Sequence, residues 1–141
     1  MKIVYIKLFL RVSIAFGFLS AVGDRFGFWP KENSAWGNWD NFLEYTKILN
    51  PWAPDNFVNV LGSIATLTEV ILALLLLIGF KTSLVAKLSG YLLLIFALTM
   101  TFTIGIKAPL DYSVFSAAAA AFGLSLMKEK YLEIDILFDN R

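Results

Sequence analysis

A chain of 141 residues holds one domain's worth of sequence. It is 58% apolar and only 16% charged, against roughly 45–50% and about 25% in soluble domains, and its net charge of +1 gives nucleic acid no footing. Cys and His are both absent, which excludes a thiolate nucleophile, a disulfide relay, an iron–sulfur cluster, His-ligated zinc and haem held by His or Cys.

The first apolar run covers residues 3–22. Lys2 and Lys7 imitate the basic start of a signal peptide, but Arg11 interrupts the apolar stretch and Gly23-Asp24-Arg25-Phe26 replaces a small-residue cleavage site. The run reads as a retained helix. Residues 23–55 then form a long connection that contains all four Trp of the chain, Trp29, Trp36, Trp39 and Trp52. Within it, Trp39, Phe42, Leu43 and Thr46 recur at helical spacing, which predicts a short amphipathic helix lying in the membrane interface. Indole rings favour the headgroup level, so the loop is either an aromatic anchor or a lid over a lipid-facing pocket. Asp24 and Arg25 stand at its outer mouth.

The second run covers 57–79 and the third 82–106, joined by Phe80-Lys81 as a tight hairpin. The fourth, 109–127, opens on Pro109, a favoured first helical residue, with Asp111 in the first turn. Each run is long enough for a hydrocarbon core about 30 Å thick. The expected fold is a single all-α membrane domain over 1–141, a four-transmembrane-helix bundle with a Trp-rich extracytoplasmic loop. Lys2, Lys7, Lys81, Lys87, Lys128, Lys130 and Arg141 gather on one side and most acids on the other, which places both termini in the cytoplasm. The tail after Met127 receives no role.

Arg11 and Glu69 lie deep in apolar runs, and a lone charge at mid-membrane costs about 2.5–3.5 kcal/mol. Counted from the cytoplasmic ends of their helices, their heights differ by about 3 Å, so an Arg–carboxylate fork between them is expected. Asn59, Ser63, Thr66 and Glu69 form a polar seam on the second helix, on an arc with Gly62 and Ala73. The expected buried polar centre is therefore Arg11, Glu69, Thr66, Ser63 and Asn59. It either pins helix register or binds a headgroup or proton. On the fourth helix Ser113, Ser116, Ala117, Ala120 and Ala121 form a small-residue packing face.

These features together resemble the DoxX family of small bacterial membrane proteins: Arg in helix 1, a charged stop after it, Glu in helix 2, then Gly and a basic hairpin. The segments Phe18-Leu19-Ser20-Ala21-Val22-Gly23-Asp24-Arg25, Gly37-Asn38-Trp39, Asn50-Pro51-Trp52, Thr68-Glu69-Val70 and Gly105-Ile106-Lys107-Ala108-Pro109-Leu110-Asp111-Tyr112-Ser113 carry the resemblance over nearly the whole chain. Ser83 departs from it, where Arg is expected after Lys81-Thr82. The resemblance implies a bacterial inner-membrane location and an accessory or quinone-interacting subunit of a membrane oxidoreductase assembly. A quinone or a lipid is the ligand it implies, with no covalent cofactor and no metal. Membrane-complex subunits or further copies of the chain are the implied partners, within the lipid bilayer. Two rivals use the same residues: a lipid- or sterol-like ligand-binding protein, and a purely structural subunit. Fold resemblance does not transfer chemistry.

Overall fold

The computed structural model describes residues 2–138, and every regular element among them is helical. The helices are α1 (Ile3–Arg25), α2 (Trp39–Leu49), α3 (Asp55–Ile78), α4 (Thr82–Ile104), α5 (Lys107–Asp111), α6 (Val114–Ser125) and α7 (Asp135–Phe138), with a 3₁₀ turn at Lys31–Asn33. Three of them, α1, α3 and α4, are long and apolar enough to cross a membrane.

α1 runs three residues beyond its apolar stretch, so Asp24 and Arg25 belong to its last turn. Gly27, at φ 74°, ends it: the Phe28 N–H reaches the Gly23 carbonyl at 2.9 Å and the Gly27 N–H reaches Asp24 at 3.1 Å. α3 closes the same way on Gly79, with Phe80 N–H to Leu75 O at 3.0 Å. α2 is capped by the Asn38 side chain, which accepts from the Asn41 N–H at 2.9 Å.

The fourth apolar run differs from its expectation. It is not one helix over 109–127 but two pieces, broken at Ser113, whose φ of 57° is left-handed. α6 alone has 12 residues, about 18 Å of rise, which is short of a hydrocarbon core. Because the helix restarts at Val114, its fully buried face is Ala118, Ala121 and Leu124; of the expected small-residue face only Ala121 is fully buried.

α1 packs along α3, α3 meets α4, α4 lies along α6, and α6 returns to α1. α2 lies across the end of this bundle that carries the connection 26–54, hereafter the loop end; the opposite end carries the chain termini. The core is Ile14, Ala15, Phe18, Leu72, Ala73, Leu76, Val85, Ala86, Ala121 and Leu124. Small side chains let the helices approach closely: a Cβ added at Gly90 would stand 2.8 Å from the Phe122 ring. The outward face of α3 is a stripe of exposed Ile64, Leu67, Ile71, Leu74 and Ile78. Such a stripe would be a liability in water and is at home against lipid tails.

Candidate functional site

Asn59 and Ser63 lie on the exposed side of α3 and bond to each other at 3.3 Å. The buried seam is instead Val58, Gly62, Thr66, Glu69, Ala73 and Leu76. Gly62 is there because α2 lies on it; a Cβ would come within 2.9 Å of Leu43. Of the five residues expected in the polar centre, Thr66 and Glu69 share one cluster, Arg11 sits in another, and Asn59 and Ser63 sit in neither.

Arg11 and Glu69 do not pair; the partner of Glu69 is Arg25. The Arg25 Nη2 donates to both Glu69 oxygens, at 2.8 and 2.9 Å, and its Nη1 donates to Thr66 Oγ1 at 2.6 Å. Arg25 is 3% exposed and Glu69 1%. One guanidinium nitrogen thus spans both carboxylate oxygens while the other takes Thr66, a short, charge-assisted contact. The guanidinium carbon lies 4.1 Å from the Phe42 ring centre and 5.4 Å from that of Trp36. A desolvated cation against aromatic faces gains about 2 kcal/mol.

Asp24 builds the roof over this pair. Its carboxylate accepts from the Ser34 hydroxyl and from the backbone N–H groups of Ala35 and Trp36, the last two at 2.9 and 3.0 Å. The loop is thereby folded back so that Trp36 meets Phe42 edge-on at 5.3 Å. Trp39 packs on Phe42 at 5.2 Å and stacks on Phe26 at 5.7 Å. Trp36 and Trp39 thus belong to the cover, whereas Trp29 and Trp52 are exposed at its edge, Trp29 donating to Ser20 O at 3.1 Å. Arg25 Nε is buried there without a hydrogen-bond partner.

Arg11 turns toward the opposite end of the bundle. Its Nε donates to Leu76 O at 2.9 Å, Nη2 to Leu77 O and Leu132 O at 3.0 Å each, and Nη1 to Tyr131 O at 2.9 Å. Glu133 stands 3.6 Å from Arg11 and 2.7 Å from Lys7 Nζ. The physical reason is at the end of α3. The last carbonyls of a helix have no intrahelical donor and form the negative end of its dipole. Here each is answered: Leu76 and Leu77 by Arg11, Ile78 by the Ile134 N–H at 3.1 Å, and Gly79 by the Asp135 N–H at 3.2 Å. Equal Cα height was a poor guide, since an arginine's reach of several ångströms lets it serve an acceptor one or two turns away.

The tail, to which the sequence assigned no role, is the closure of this end. Asp135 accepts from Lys81 N–H at 2.6 Å and Thr82 N–H at 3.0 Å, capping α4 from outside that helix. One signal in the sequence could have revealed it. Lys7, Arg11 and Lys81 all need anions, and on their side of the membrane every acid lies after Met127.

The loop-end cluster offers a guanidinium and a hydroxyl that could hold a polar headgroup, but Glu69 already takes Arg25 Nη2 and the Thr66 hydroxyl already accepts from Nη1. Neither the groove between α3 and α4 beside Phe80 nor the one at the termini end is lined by Arg25, Thr66 or Glu69. Among the described residues, no group of three or more acidic side chains could hold a metal ion. No family model matches the chain, and neither a curated protein nor a solved structure is significantly similar to it.

Proposed function

We propose that this chain is an accessory, non-catalytic subunit of a bacterial inner-membrane assembly, of the oxidoreductase type that its resemblance to the DoxX family implies. One observation carries this reading: the residue pair best placed to do chemistry, Arg25 and Glu69, is closed in by Thr66, Phe42 and Trp36, with both Glu69 oxygens and both Arg25 Nη atoms bonded within the chain. A charged pair fixed in that way specifies how α1, α3 and α2 fit together. In this reading α5 and α6 complete a fourth crossing, and both termini face the cytoplasm with the Lys-rich end.

A second reading is favoured by one detail. Arg25 Nε is buried and unbonded beneath an aromatic cover, so a quinone or lipid carbonyl entering under Trp36 would find a donor waiting. Purification in mild detergent, with identification of co-purifying proteins and extracted quinones and lipids, tests both. Stoichiometric membrane partners without bound quinone are expected. A partner-free chain that retains quinone, and loses it when Trp36 is replaced by Ala, would overturn the accessory reading in favour of the second. Reporter fusions after Met127 and within residues 31–38 test the orientation; a C-terminus outside the cytoplasm would refute it.

A further inference from the structure

Between α3 and α4, on the outer side of the bundle, lies a groove of about 330 Å³. Leu72 and Val85 are buried at its floor, while Ile71, Leu84 and Leu88 stand about half exposed along its lips. Phe80 and Lys81, where the chain turns from one helix into the next, close the termini end, and Thr68 marks the other. Thr68 has returned its hydroxyl to the Ile64 carbonyl at 2.7 Å, so the inner end offers no donor. From Thr68 to Ile78, the last residue of α3, the rise is about 15 Å, half of a hydrocarbon core about 30 Å thick. The groove is therefore one leaflet deep, apolar along its length and cationic at its mouth.

Lys81 is the part of it that helix packing does not explain. Its φ of 44° and ψ of 47° are left-handed, a backbone that Gly or Asn adopts far more readily than Lys. Asp135 holds it there, with one carboxylate oxygen on the Lys81 N–H and the other on the Thr82 N–H. That carboxylate is occupied by the main chain, and it lines the groove at the termini end and not this one. Among the described residues no acid lines this groove, and none forms an ion pair with Lys81 Nζ, which stands 5.6 Å from the centre of the Phe80 ring. A ring face attracts an ammonium without neutralising it. A charge needed only to orient the hairpin could stand at Ser83, which is exposed and helical; this one stands on a strained backbone at the mouth of the groove.

We propose that the groove binds one anionic phospholipid of the leaflet at the termini end, with an acyl chain lying between α3 and α4 and the headgroup phosphate meeting Lys81 Nζ. Depth and charge select this occupant. A partner's transmembrane helix would run on past the midplane, where the groove ends, and a neutral lipid would leave the ammonium unanswered. Lysines at a membrane surface attract anionic headgroups. The site requires only that α3 and α4 lie in a bilayer, and neither reading of the loop-end pair depends on it.

The full chain is extracted in mild detergent from vesicles of equal phosphatidylglycerol and phosphatidylcholine with matched acyl chains, and retained lipid is counted by native mass spectrometry. The wild type should retain one phosphatidylglycerol per chain, favoured over phosphatidylcholine by about fivefold, the effect of one lysine at a membrane surface. K81Q alters an exposed side chain and should bring the two lipids to parity. Leu88→Trp, at a half-exposed lip, fills the groove with the lysine still in place and should expel the lipid; Leu84→Trp repeats the test one turn away. Ile95→Trp, comparably exposed but about two turns beyond the groove, and K128Q, an exposed lysine outside it, should leave retention unchanged. Equal losses in K81Q and K128Q, with both Trp variants of the groove retaining the lipid, would reduce the effect to general attraction and overturn the proposal. Retention of phosphatidylcholine or a free fatty acid that the Trp variants expel and K81Q keeps would also overturn it, since the groove would then select a chain and not a headgroup. So would equal retention by the wild type, K81Q and both Trp variants.

Discussion

Arg25 holds both oxygens of Glu69 across a separation of 44 residues in sequence, at 2.8 and 2.9 Å, while Arg11, on the same helix as Arg25, turns to the opposite end of the bundle. The two arginines of α1 therefore do different work. One ties the loop end of α1 to the middle of α3; the other closes the terminus of α3 itself.

Because Arg25 and Glu69 are both buried, losing either strands the other, at a cost of about 3–5 kcal/mol. Arg25→Leu and Glu69→Leu should each lower the folded yield in membranes, and the double change should recover much of it. Arg11→Leu combined with Glu69→Leu should show no such recovery. Size-exclusion profiles and melting of the five proteins, wild type included, measure this; additive losses for Arg25 and Glu69 would refute the coupling.

Gly79 admits no side chain. Its φ is +70°, and a Cβ there would lie 2.6 Å from Arg11 Nη2 and 2.7 Å from Glu133. Left-handed backbone alone costs a residue with a Cβ roughly 1–2 kcal/mol, and Glu133 meets the new atom with its own Cα, which cannot rotate away. Gly79→Ala should thus destabilise the fold by about 2 kcal/mol or more. Hydrogen exchange should rise in residues 131–135 before it rises elsewhere; an unchanged exchange pattern there would contradict the contact.

Ending the chain after Met127 removes Glu133 and the two tail carbonyls that receive Arg11. Arg11 keeps Leu76 O and Leu77 O, so the expected loss is about 3 kcal/mol, at the lower end for an orphaned buried charge. Arg11→Leu introduced into the shortened chain should restore part of that stability, although the same change lowers it in the full chain. Thermal melts of the four proteins would show the reversal of sign.

Asp24→Ala removes the acceptor for one hydroxyl and two backbone N–H groups. Hydrogen bonds to a charged group contribute about 1.5–3 kcal/mol each, enough to release residues 34–36. Tryptophan emission should shift to the red and become more open to acrylamide, with helix content unchanged. Emission identical to the wild type would show that the cover does not depend on Asp24.

The apolar runs made α1, α3 and α4 legible within a few residues, because length and hydropathy are what a bilayer selects. The break at Ser113 was not legible: Lys107, Asp111 and Ser113 interrupt the apolar pattern there, but Pro109 and Asp111 equally suit the first turn of one continuous helix, and a left-handed serine leaves no periodic trace. Arg25 was placed at an outer mouth because it follows the last apolar residue, yet α1 continues through it and its side chain folds inward to Glu69. Thr66 and Glu69 were found by helical spacing, which also swept in Asn59 and Ser63; an arc of polar residues wider than the interface it meets must leave some of its members outside. For Arg11, height along the membrane was the wrong variable. Its pull came from the end carbonyls of α3 and from tail carbonyls and one acid, Glu133, more than a hundred residues away in the chain, and neither leaves a mark in local sequence.

The arrangement of Arg11 also dictates an order of assembly. Its tail partners Tyr131 and Leu132 leave the ribosome about 120 residues after it does, which at about 5–20 residues per second is a wait of roughly 6–24 s. Until α3 is made α1 carries an unpartnered arginine, and from then until the tail arrives α3 can only half satisfy it, a state the bilayer penalises. Closure of the bundle is therefore deferred until the segment beyond α6 has been made and has threaded back onto the first helix. A nascent chain stalled before Tyr131 leaves Arg11 with the Leu76 and Leu77 carbonyls but without its tail acceptors and Glu133, and that defect distinguishes it chemically from the finished protein.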